Sequence, residues 1–107
     1  MKKDFIEIKT TFDKLISAKK MAKFLIENEL VACAQISKIS SFYIYEKKFT
    51  NQNEFLLILK TKKRLYHKIK KVIIDKHNYK TPEIITLKIE DGLESYLKWI
   101  DSSISDS

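Results

Sequence analysis

The chain has 107 residues, 44% hydrophobic and 33% charged, with a net charge of +7 from 21 Lys+Arg against 14 Asp+Glu. That length suits one domain with a modest core, residues 1–107, and the composition excludes a disordered chain. A single Gly excludes a glycine-rich phosphate loop, and a single Cys excludes an intrachain disulfide.

"DFIEIKTTF" alternates, with Ile6 and Ile8 on one side and Glu7 and Lys9 on the other, and predicts a strand, β1. After Asp13, Leu15, Ala18, Ala22 and Leu25 recur at helical spacing and predict an amphipathic helix, α1. "LVACAQISKISSFYIYE" is β-branched and aromatic without a breaker, and predicts a long strand, β2, bent near Ser37–Lys38. "EKKF" turns the chain without Gly or Asn, and "TNQNEFLLILKT" returns as β3. Leu65, Ile69, Val72 and Ile73 share one face of "KKRLYHKIKKVIIDKHN", predicting α2 with Asn78 at its stop. "PEIITLKIE" alternates Ile85, Leu87 and Ile89 and predicts β4. Asp91-Gly92 turns the chain, and Leu93, Tyr96, Leu97 and Ile100 form the stripe of a short helix, α3. The small polar end, about 102–107, is expected to fray.

The order β-α-β-β-α-β plus a C-terminal helix predicts an α+β, ferredoxin-like fold, with α1 and α2 on one face of an antiparallel sheet. "FLLIL", Phe55 to Leu59, is apolar on both faces of its strand. A wet second face would alternate with polar residues, so something is expected to cover it, most simply another copy.

Cys33 is a candidate nucleophile, but "LVACAQI" reads as the apolar strand of a buried, unreactive thiol. His67 and His77 stand roughly 80° apart around a helix, and no HxxxH or CxxC spacing exists. A loose set of Cys33, His77 and a carboxylate would suit copper or zinc. Glu83 and Glu46 are candidate acid–base groups that surface charge explains as well. RNA-recognition domains share the element order but need exposed aromatic residues and a K/R-G-F/Y motif on the central strands, whereas "EFLLILKT" has no Gly and one aromatic. Arg64 is the lone arginine, whereas phosphate and base readers favour Arg forks, so no nucleic-acid partner is expected. "MKKDFIEIKTTFDK" has no apolar h-region, and no apolar run reaches the roughly 18 residues of a membrane span. With one cysteine, the expected location is cytoplasmic.

Five segments in order resemble the CutA family of divalent-cation tolerance proteins. "ENELVACAQI" is similar to that family's "E…L-A-A-C-V-N", and "SSFYIYEKKF" to its "T-S-x-Y-x-W-x-G-K-I/L". "EFLLILKT" resembles "E-V-x-x-I-x-K-T", "HNYKTPEII" resembles "H-P-Y-x-x-P-E-I/L", and "GLESYLKWI" resembles "G-x-x-x-Y-L-x-W-I/L". The resemblance implies a homotrimer whose long β2–β3 hairpins pair with neighbouring subunits, similar in architecture to the PII signalling proteins. It implies divalent-cation tolerance, with Cu(II) or another divalent cation at Cys33, His77 and Glu83, and no enzymatic reaction. Tyr43, Lys60 and Tyr79 would line an intersubunit cleft, Lys60 adding positive charge. The alternatives are a PII-like sensor of a small anionic ligand and a scaffold that anchors a partner protein. The chain departs from the family pattern at Lys47 for the hairpin Gly, Tyr45 for Trp, and Asn78 for Pro.

Overall fold

A computed structural model describes residues 4–106; the basic tip, 1–3, and Ser107 lie outside them. The elements are β1 (Phe5–Phe12), α1 (Leu15–Glu27), β2 (Cys33–Tyr45), β3 (Lys48–Lys62), α2 (Tyr66–Lys76), β4 (Ile84–Lys88) and α3 (Glu94–Ser103). A 3₁₀ turn, Lys63–Leu65, forms the first part of the expected α2. The strands make one antiparallel sheet in the order β2-β3-β1-β4. This is the ferredoxin-like arrangement, in which β3 separates β1 from β2.

Alternation assigns each residue a face. Ile8 lies opposite Leu59, and Thr10 opposite Leu57. These four are fully buried, and share one core with Ala18, Met21 and Leu25 of α1 and Ile69 and Ile73 of α2. Leu56, Ile58, Lys60 and Glu54 of β3 therefore point to the second face, with Cys33, Tyr43, Ile85 and Leu87.

The second face is covered at one end by the chain itself. Tyr96 of α3 lies beside Cys33. Lys62 donates to Asp101 at 3.1 Å, and its ammonium lies 5.2 Å from the Phe5 ring centre. Leu97, Ile100 and Ile104 are buried in the same core. The C-terminal segment expected to fray is thus docked as far as Ser105. The Ser105 amide donates to the Glu29 carbonyl at 2.8 Å, and Arg64 donates to the Ser105 carbonyl at 2.7 Å. Ile104, one apolar residue among polar ones, supplies the anchor.

The β2–β3 ladder is unbroken from Cys33↔Lys60 to Tyr45↔Lys48, and Ser37 and Lys38 keep the register without a bulge. The hairpin stretches the molecule to 48 Å along its long axis. Its tip is a two-residue turn with Glu46 at φ 49° and Lys47 at φ 67°. Positive φ at both central positions is the requirement of a type I′ turn. It is met here without Gly, at the position where the family pattern has one. Glu29 is left-handed as well, at φ 56°. It closes α1 in a Schellman motif: Leu30 N–H donates to the Leu25 carbonyl and Glu29 N–H to the Ile26 carbonyl.

Candidate functional site

The candidate residues fall into two groups at opposite ends of the strands. Cys33 and Lys60 are paired across β2 and β3 at the end closed by α3. Lys60 donates to Gln35 Oε1 at 2.6 Å, and the Cys33 thiol is half-buried beside Tyr96. Tyr43, His77, Tyr79 and Glu83 stand at the other end, at the base of the hairpin. Within one chain Lys60 and Tyr79 therefore lie at opposite ends of the face.

The separation follows from register. Cys33, Lys60 and Glu7 form one row across the sheet, and Thr11, whose carbonyl holds His77, is four residues further along β1. Strand rise and two strand spacings put Cys33 and the His77 corner roughly 16 Å apart. Among the described residues no three His, Cys, Asp or Glu side chains group as metal ligands do. Cys33, His77 and Glu83 of one chain therefore do not fit a shared copper or zinc ion.

His77 is held by its own chain. The stretch after α2 is a short loop, because Asn78 binds Asp13 and Pro82 cannot donate to a ladder. The loop lays the His77 ring on Phe12, with centroids 4.2 Å apart and planes 9° from parallel. Tyr79 N–H donates to Nδ1 at 3.0 Å, so Nδ1 must accept. Nε2 lies 2.8 Å from the Thr11 carbonyl, which can only accept, so Nε2 carries the proton. The imidazole is thus neutral with both nitrogens engaged. Burial lowers its pKa below 6.5, outweighing the opposing pull of the Thr11 carbonyl, Asp13 and Glu54.

His77 in turn fixes Tyr79. The Tyr79 hydroxyl donates to Glu54 Oε2 at 2.8 Å and accepts from Gln52 Nε2 at 3.2 Å. The Tyr43 hydroxyl donates to Gln52 Oε1. Burial, then the Glu54 carboxylate, raises the Tyr79 pKa far above its ordinary value, so the phenol keeps its proton. Tyr43, Tyr45, Gln52, Glu54, Tyr79 and Glu83 line a cavity of about 610 Å³ at this end, with the ammonium-bearing Lys80 on its wall. The sequence reading had not singled out Gln52 and Glu54. The signal was available, since Gln52, Glu54, Leu56 and Ile58 alternate onto one face. Only the loop after α2 shows that Tyr79 lands there.

The described chain has no helix long and apolar enough to cross a membrane. The sequence model of the CutA1 divalent ion tolerance protein family matches residues 6–103. The divalent-cation tolerance protein CutA of Pyrococcus horikoshii is 38% identical over 95 residues, 89% of this chain and 93% of that protein. A crystal structure of CutA1 from Oryza sativa superposes with a TM-score of 0.92 at 33% identity, covering 96% of this chain and 95% of the other. A structure from Archaeoglobus fulgidus, described as a periplasmic divalent cation tolerance protein, superposes with a TM-score of 0.91 at 35% identity, covering 94% and 99%. Motif order, fold and both comparisons agree, and the chain belongs to the CutA1 divalent ion tolerance protein family.

Proposed function

We propose that this protein serves divalent-cation tolerance as a homotrimer, acting by binding and not by catalysis. The observation that carries the assembly is the apolar surface left open by one chain. Phe42, Ile44 and Phe49 of the projecting hairpin are all more than 60% exposed, and Ile85 and Leu87 on the second face are exposed as well. At about 25 cal/mol per Å² of apolar area, covering these side chains with further copies stabilises the assembly by several kcal/mol. Light scattering tests this directly: the expected mass is three times 12.7 kDa, and a monomer mass removes the reading.

Copper, or another divalent cation, is cargo in this reading. One chain separates Cys33 from His77, so an ion held by Cys33, His77 and Glu83 draws them from different copies. Calorimetry with Cu(II) and Zn(II) on the wild type, Cys33→Ser and His77→Ala is the test. Weaker binding in both variants is expected. Unchanged affinity in His77→Ala removes His77 from the metal, leaving it the role of holding Tyr79. The half-buried free thiol of Cys33 favours a reducing, cytoplasmic location. A fluorescent fusion found in another compartment would sink that.

A sensor of small ligands is the second reading, and the cavity at Tyr79 favours it over a bare scaffold. The chemistry of that cavity differs from the anion site expected from Lys60.

A further inference from the structure

Glu54 is the least ordinary charge in the molecule. Its side chain is buried, 8% exposed, at the floor of the cavity beside Tyr79. It accepts one hydrogen bond, from Tyr79 to Oε2, and the ion pairs among the described residues leave it out. A buried carboxylate without a cation is costly, and the cost is relieved when a cation meets it. The rest of the wall suits one kind of cation. Tyr43, Tyr45 and Tyr79 supply aromatic surface, and Glu83 adds a second carboxylate. Aromatic faces attract alkylammonium groups, which bring apolar carbon as well as charge. Two carboxylates against Lys80 disfavour an anion. A bare divalent ion needs six or more oxygen ligands or a tight His/Cys/Asp/Glu cluster, and the described residues hold no such cluster.

We propose that this cavity binds a small organic cation, an alkylammonium or quaternary ammonium ion, with its charge against Glu54 and its carbon against Tyr43 and Tyr45. The cavity is formed by one chain, so the proposal does not rest on the metal reading. A neighbouring copy on the same face would roof the space.

Amide chemical-shift titration of the intact chain tests it, with tetramethylammonium chloride and n-butylammonium chloride as probes. Neutral tert-butanol serves as a shape control and sodium chloride as an ionic-strength control. Saturable shifts at the amides of Gln52 and Tyr79 are expected with the ammonium ions only. Glu54→Gln should weaken binding about tenfold or more, because it removes the charge and keeps the shape. Tyr45→Leu should weaken it about threefold by removing one ring. Tyr45 is exposed and makes no side-chain hydrogen bond among the described residues, so that variant is expected to fold. Absence of saturable shifts overturns the proposal, as it would if a lysine of a neighbouring copy already filled the space. So does an equal response to tert-butanol, or undiminished binding in a folded Glu54→Gln. If Glu54→Gln fails to fold, unchanged affinity in Tyr45→Leu overturns it.

Discussion

The two ends of the second sheet face are built from the same strands, yet they differ in how they are finished. At the Cys33 end, α3 lies over the face and buries Leu97, Ile100 and Ile104. At the Tyr79 end no helix of the described residues lines the cavity. A loop, a chain of hydrogen bonds and a cavity take its place. One end is closed by packing, which stabilises it. The other is held open by polar side chains that satisfy one another and leave a carboxylate facing the space.

Four experiments would break or sharpen that contrast. The largest effect belongs to the closed end. Ile100 is fully buried, and Ile100→Ala should destabilise the chain by about 2–5 kcal/mol, read from denaturant midpoints. A loss under about 1 kcal/mol would mean that α3 is not the lid of this end. At the open end, Tyr79→Phe removes the hydroxyl that donates to Glu54 and should cost about 1–3 kcal/mol in the same assay. A neutral result would show that water replaces the hydroxyl.

The third experiment varies pH. In the fold the His77 pKa is lowered, so the unfolded chain binds the proton more readily. The stabilising contribution is full above 6.5, the ordinary value, and is lost as the pH falls through the lower folded pKa. Protonation of Nδ1 also ends its bond from Tyr79 N–H. The protection of the Tyr79 amide, the slowing of its exchange relative to an unstructured amide at the same pH, should therefore fall below pH 6.5 while that of Leu97 does not. An equal loss of protection at both ends would deny the two ends separate stability. The smallest effect lies at the hairpin tip, beyond both ends. Replacing Glu46-Lys47 by Asn-Gly relieves two left-handed residues and should raise stability by about 1–2 kcal/mol. A loss would show that Glu46 or Lys47 has a task besides turning the chain.

Most of the fold was legible because its signals are local. Ile6 and Ile8 against Glu7 and Lys9 showed β1 without any knowledge of its partners. "FLLIL" called for a cover over both faces of β3, without saying which. Part of the answer is α3, whose docking depends on Ile104 and on the Ser105 contacts with Glu29 and Arg64. Those contacts join positions far apart in the chain, which no periodicity shows. The candidate site divided in the same way. Tyr43, Tyr79 and Glu83 were read from the family resemblance, and the structure brings them to one cavity. Cys33 and Lys60 came from the same resemblance and lie at the other end.

By itself the sequence determined the element order, the long hairpin, the family and the buried side of β1; for β4 it picked Ile85 and Leu87, which are exposed, where Ile84 packs against the core. Hydrophobic period and motif order are properties of neighbours along the chain, and they survive without coordinates. Tertiary structure alone decided that Cys33 and His77 are apart, that His77 is neutral with both nitrogens engaged, and that Glu54 lies buried under Tyr79. Each of these depends on strand register and on where one short loop lands. A protonation state and an unpaired charge are set by such distances, not by spacing in the chain.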